Sequence, residues 1–415
     1  MKKVTLSVSA ALLATLIPSS IVASDTIKVL DDLTLEGQIR PRYETAQISE
    51  NNKDRANALT VRTSLKVTSK KVFDTDMLGF TTELTSVNPL GADQYNSTDN
   101  GRTNYDVVVD PNQARVSQAY LDVKLPAATV IRAGRQAVNL DNQRFIGSVD
   151  WRQMPQTLDA VAVVSNPVAG LNFVGAYVYG INSVKVHENN KAAETGSAVA
   201  NLSYKLDDML KLRAYSYMIE SNSDTFGAAA EGSVKAGDLV VGYLAEYAIQ
   251  QDPTLESDTV KNVVADANYY NLDLSVAMSG FGLGVNYEVL GEAEGDATKG
   301  FHTPLATLHK FNGWADVFLG SENANGLIDT NVRASYVNKS FGKVEVVYHT
   351  FAAQSGEEDL GSEFDAILVT KLIPVEGLTT LVKGAFYSKG DTAAGDYVAK
   401  DKSVAWLQLD YRFKI

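Results

Sequence analysis

Ala405-Trp406-Leu407-Gln408-Leu409-Asp410-Tyr411-Arg412-Phe413 places Leu407, Leu409, Tyr411 and Phe413 on one parity and Gln408, Asp410 and Arg412 on the other. This is the period-two signature of a strand with one apolar and one wet face. Working outward, the signature recurs along the chain. Leu59, Val61, Leu65 and Val67 alternate with Thr60, Arg62, Ser64 and Lys66. Leu239, Val241, Tyr243, Ala245, Tyr247 and Ile249 share a face, with Glu246 opposite, and Phe281, Leu283, Val285, Tyr287 and Val289 repeat the pattern. Ala160 to Ile181 is nearly all apolar, but Ser165-Asn166-Pro167 and Gly170 break it, so it reads as two strands and a tight turn rather than a helix.

The opposite end carries an export signal. Met1-Lys2-Lys3 is a charged start, Val4 to Ile17 is apolar, and the small residues Ala23 and Ser24 suit cleavage. The apolar run is too short for a spanning helix. Residues 1–24 are therefore expected to be a signal peptide and 25–415 one barrel domain. The chain has 37 basic and 50 acidic residues, a net charge of −13. Removal of Lys2 and Lys3 leaves 35 against 50, or −15, which excludes nucleic acid as a default partner. With no cysteine, an exported chain must gain stability from a large core or a closed sheet. Four scattered histidines give no metal motif, His302 and His309 reading as loop residues, and no cofactor is implied.

A soluble sandwich would turn its greasy faces inward. Three features favour lipid instead. Charged Arg62, Lys66, Lys205, Glu246 and Arg412 are expected on the polar faces near strand middles, as a water-filled lumen requires. Tyr43, Tyr177, Tyr179, Tyr270, Tyr287, Tyr348 and Tyr411 fall toward strand ends, as interfacial girdles do. Segments of about ten residues suit a tilted crossing of a bilayer. The expected fold is all-β: a single transmembrane antiparallel barrel of about 18 strands, 16 being the alternative. Short turns such as Ser279-Gly280 and Pro374-Val375-Glu376-Gly377 would face the periplasm. Long polar connections (88–113, 185–196, 250–262, 291–312 and 352–363) would face outward, and the acidic excess is expected on such loops, as at Glu357-Glu358-Asp359 and 391–396.

The densest polar cluster is Arg132-Ala133-Gly134-Arg135-Gln136, then Asn142-Gln143-Arg144-Phe145-Ile146-Gly147, Trp151-Arg152-Gln153 and Thr157-Leu158-Asp159. Residues between Gln136 and Thr157 lack alternation and are too polar for lipid, so they suit a constriction folded into a lumen. Arginine fits that task because its charge does not titrate and its fork grips carboxylates. A surface loop with structural Arg–Asp pairs is the other reading.

The run RAGRQ…NQRFIG…WRQ…TLDAV resembles the bacterial alginate-export family of outer-membrane barrels. A second run, Gly300-Phe301-His302-Thr303-Pro304-Leu305 through His309-Lys310-Phe311 to Gly313-Trp314-Ala315-Asp316, is similar to that family's later motif. The resemblance implies an eighteen-stranded barrel in the bacterial outer membrane, with an arginine-rich constriction passing an anionic polyuronate. By motif position Arg132, Arg135, Arg144 and Arg152 would be pore arginines, with Gln136 beside them and Asp159 bracing them. Arg62 and Lys66 join as polar-face cations. Leu158 stands where the family carries phenylalanine, and Lys414-Ile415 run beyond the terminal aromatic.

The implied partners are outer-membrane lipid and lipopolysaccharide, the barrel-assembly machinery and a small anionic or uronate-type solute. The leading function is an anion-passing porin, and a general diffusion porin without anion selectivity is the alternative. A barrel enzyme would need a nucleophile with its base, and no Gly-x-Ser-x-Gly elbow is present. A secreted sandwich binding glycans would be soluble.

Overall fold

The computed structural model describes residues 29–415 except 187–191, 256–265, 296–298, 320–323, 357, 372 and 392–397. The expected signal peptide and much of the acidic loop sequence at 357–359 and 391–396 lie outside the described residues.

Eighteen strands follow in chain order. They begin with β1 (Leu30–Ile48), β2 (Ala56–Val72), β3 (Leu78–Gln94), β4 (Gln113–Leu125), β5 (Thr129–Gln136) and β6 (Thr157–Ser165). Next come β7 (Leu171–Asn182), β8 (Ala193–Lys205), β9 (Lys211–Ile219), β10 (Ser223–Ala236), β11 (Leu239–Gln251) and β12 (Ala267–Met278). The chain closes with β13 (Phe281–Leu290), β14 (Leu327–Asn338), β15 (Gly342–Ala352), β16 (Asp359–Thr370), β17 (Leu378–Ser388) and β18 (Lys402–Lys414). Each pairs with the next and β1 pairs antiparallel with β18, so the sheet has no free edge. The opening alternation supplies that seam: Arg42 lies opposite Gln408 and Gly37 opposite Phe413. The two-residue tail continues it, Ile415 and Leu35 exchanging backbone hydrogen bonds at 2.8 and 2.9 Å.

Alternation decides what faces out. Leu272, Leu274, Phe281, Leu283, Val285, Val332, Phe364, Phe386 and Leu407 are all exposed, several by more than half. So large an apolar exterior is not compatible with water and suits hydrocarbon. Tyr177, Tyr179, Tyr270, Tyr287 and Tyr348 are exposed toward one rim, while Phe173, Tyr204 and Phe281 are exposed toward the other. The two classes of connection segregate by end. Turns such as 206–210, 279–280 and 339–341 join even strands to odd, and the long connections join odd to even. The break at Pro167 separates β6 from β7, as read from sequence.

One motif glycine is needed by the backbone. Gly134 has φ +125°, and a Cβ there would sit 2.3 Å from the Ala119 carbonyl oxygen across the β4–β5 pair.

Candidate functional site: a constriction inside the barrel

Residues 137–156, lying between β5 and β6 as the loss of alternation predicts, fold into the lumen. Ile146 forms a parallel bridge to Leu305 in the connection between β13 and β14, so two inserted segments meet inside the barrel. Phe145 packs on Tyr215 (4.9 Å between ring centroids), Tyr269 (5.4 Å) and Phe301 (6.2 Å), giving one side of the lumen an aromatic core. The second segment is tied to the opposite wall: the Trp314 amide donates to Asp365 (3.1 Å) and the Ala315 amide to Glu363 (2.7 Å).

Two of the motif arginines, Arg144 and Arg152, fasten this insert. Arg144 meets Glu288 of β13 at 2.8 Å and donates to Asn312 at 3.0 Å, with its guanidinium 4.8 Å from the Phe311 ring. Arg152 bridges Glu44 of β1 (3.0 Å) and Asp316 of the second segment (2.9 Å). Arg132 faces inward on β5, paired bidentately with Asp122 (2.7 and 2.9 Å) and 3.9 Å from the Tyr120 ring centre. Gln136 is buried and donates to the Ala160 carbonyl at 3.2 Å.

Arg135 is separated from the others. The register places it opposite Ala119 and Asp159, an odd number of residues from inward-facing Arg132 and on the face that carries exposed Val161. Its bidentate pair with Asp159 (2.8 and 3.1 Å) therefore lies on the outer side of the sheet, where Asp159 braces Arg135 alone. Strand parity is the reason: Arg132 and Arg135, three apart, cannot share a face of one regular strand.

Arg62 does line the lumen, paired with Asp150 of the insert and 3.9 Å from Glu83. Lys66, two same-face positions nearer the short-turn end, meets Glu36 at 3.2 Å. Arg62 belongs to a cluster that the sequence reading passed over. Arg40 is its direct cross-strand partner on β1, and Arg42 follows on the same face. Arg40 is held by Gln153 Oε1 (2.9 Å) and the carbonyls of Asp150 (2.9 Å) and Arg152 (2.6 Å). Arg42 is held by Gln408 Oε1 (2.9 and 2.6 Å) and the Trp151 carbonyl (2.6 Å), with Glu44 and Asp110 at 3.9 Å. The parity of Gln38, Arg40, Arg42 and Glu44 against Ile39, Pro41 and Tyr43 carried the signal.

A second feature was also missed. All three tryptophans of the chain surround one lysine: Lys383 Nζ lies 3.8 Å from the Trp314 ring centre, 4.3 Å from Trp151 and 5.3 Å from Trp406. It also reaches His309 Nε2 at 2.7 Å, while His309 Nδ1 meets Asp316 at 2.7 Å and the imidazole stacks on Trp151 at 4.3 Å. Burial pushes the His309 imidazole down to about 3, so it is neutral, donating from Nδ1 and accepting at Nε2. Asp316 is buried too, but His309 and Arg152 hold its carboxyl well below the usual carboxylate range.

Two loop expectations gain detail or are corrected. His302 and His309 do lie in a connection, that between β13 and β14, but the connection folds inward and buries both. The acidic residues are not confined to outer loops: Glu44, Asp110, Glu246, Glu288, Asp329, Glu363 and Asp365 are buried within the barrel, where arginines and insert amides need acceptors. Lys205 ends its strand and Arg412 lies two residues from the end of β18, rather than either sitting at mid-strand. Among the described residues no group of three or more histidines and carboxylates is placed to hold a metal ion.

Comparison with known proteins accords with this architecture. Residues 31–169 match the alginate-export family. The resemblance read from the first motif block is thus borne out; the second block, 300–316, lies beyond the alginate-export match. Among solved structures the chain is similar to OpdK, an outer-membrane protein of Pseudomonas aeruginosa, at TM-score 0.70 and 15% identity, covering 94% of this chain and 100% of that one. It is also similar to OccAB2 of Acinetobacter baumannii, at TM-score 0.71 and 16% identity, covering 93% and 99%. A further OpdK structure, at TM-score 0.71, 15% identity and the same 94% and 100% coverage, was obtained with vanillate. These identities carry the fold. No curated protein matches the sequence.

Proposed function

We propose that this chain is a non-catalytic channel of the bacterial outer membrane, passing small hydrophilic solutes with a preference for anions. The apolar exterior suits lipid, and the inserted segments narrow an otherwise wide bore. The observation that carries the anion preference is the cluster of Arg40, Arg42 and Arg62. Arg40 is solvated by neutral oxygens and has no carboxylate within ion-pair distance among the described residues. Fixed positive charge at a constriction favours anions even in an acidic protein. Arg144 and Arg152 are proposed as bolts that hold the insert, and Arg132 as a tie between β4 and β5, because each already has a carboxylate partner. That pairing also favours a second reading, a general porin with no charge preference.

Reversal potential in planar bilayers under a potassium chloride gradient separates the two. Anion preference that falls in Arg40→Gln/Arg62→Gln supports the proposal. A wild-type channel with no preference, or a preference unmoved by the substitutions, supports the general porin. Heat-modifiable migration in SDS verifies that the variants close the barrel.

A further inference from the structure

Both inserts converge on Lys383, an inward residue of β17. Trp406 of β18 is its direct cross-strand partner, Trp151 comes from the first insert, and Trp314 and His309 come from the second. The ammonium meets no carboxylate within ion-pair distance among the described residues. Asp316 and Asp365, whose field it feels most, are engaged elsewhere. Asp316 is held by Arg152 (2.9 Å) and His309 (2.7 Å), and Asp365 by the Trp314 amide (3.1 Å). Trp151 and Trp406 each bury Nε1 with no hydrogen-bond partner among the described residues. A buried tryptophan ordinarily satisfies that donor. What these two offer instead is the ring face, which attracts a cation.

We propose that Lys383 is the positioning residue of the constriction, an internal cation that pins both inserts to the β17–β18 wall and holds the channel in one open state. The proposal rests on the channel reading above and deepens it. A buried ammonium without a counter-ion is costly to desolvate. Three ring faces and the His309 Nε2 lone pair offset that cost, but only while both inserts and the wall stay together. Displacing either insert strips part of this solvation, so the penalty of burial becomes resistance to movement. An apolar side chain of the same length would fill the space without that resistance.

Acrylamide quenching of tryptophan emission in the detergent-solubilised full chain reads the cage directly, because Lys383 lies against all three tryptophans. Single-channel recording in planar bilayers reads the consequence. Lys383→Ala removes the stem beyond Cβ, so propylammonium replaces what is lost and 1-propanol is its uncharged counterpart. Expected in Lys383→Ala are severalfold stronger quenching and an open current that breaks into sublevels. Propylammonium should restore both at a concentration about tenfold or more below that of 1-propanol. Equal potency of 1-propanol would mean that the stem only fills space, and overturns the proposal. Wild-type quenching with a steady current in Lys383→Ala overturns it too. A Lys383→Ala chain without heat-modifiable migration is replaced by Lys383→Met, which keeps the stem and loses the charge. Stronger quenching there supports the pin, and wild-type quenching refutes it. Quenching and its rescue need no bilayer, and the Arg40→Gln/Arg62→Gln reversal potential leaves Lys383 in place, so the pin and the channel reading can fail separately.

Discussion

Arg144→Met tests whether a motif arginine is a bolt or a pore charge. Arg144 and Glu288 are 1% and 3% exposed at the side chain and 2.8 Å apart, so removing the guanidinium strands a carboxylate inside the barrel. Breaking such a pair costs about 3–5 kcal/mol. Glu288 keeps donors from Tyr269 Oη (2.7 Å) and Asn312 Nδ2 (2.7 Å), which solvate it in part and argue for the lower end, about 3 kcal/mol. That is on the order of a hundredfold in the folding equilibrium. Arg144→Met/Glu288→Gln removes both charges and should recover about 2 kcal/mol of the loss. Urea unfolding in lipid vesicles, scored by heat-modifiable migration, measures the cycle; reversal potentials of the same variants measure the pore. The expected result is strong non-additivity in stability with unchanged ion preference. Additive stabilities, or a swing toward cations in Arg144→Met with no loss of stability, would refute the bolt.

Two further outcomes follow from the geometry. Gly134→Ala should prevent correct β4–β5 pairing, because its Cβ meets backbone at 2.3 Å in a φ that L-residues avoid; the refolding yield of heat-modifiable barrel should fall sharply, whereas Gly101→Ala, with open space around its Cβ, should lose much less. Burial holds His309 down to about 3 against an ordinary value of about 6.5, so its neutral form stabilises the lumenal packing in full above pH 6.5. That contribution should erode by about 1.4 kcal/mol per unit as pH falls below 6.5, while tryptophan emission of the folded protein changes only near 3; an emission change centred at 6, abolished in His309→Asn, would show the imidazole to be solvated.

The sequence by itself determined the wall. Period-two alternation is local, since each side chain's face follows from its own parity, and the seam residues Leu407 to Phe413 already carried the pattern that faces lipid and lumen. Loss of alternation at Gln136 and its return at Thr157 marked both ends of the first insert. Tertiary structure alone decided which charges meet. Arg144 and Glu288, or Trp151, Trp314, Trp406 and Lys383, are brought together by curvature and closure of the sheet, which no local spacing encodes. Parity would have separated Arg135 from Arg132 and joined Arg40 and Arg42 to Arg62. Grouping the arginines by proximity along the chain hid both facts, because in a strand neighbours in sequence face opposite ways.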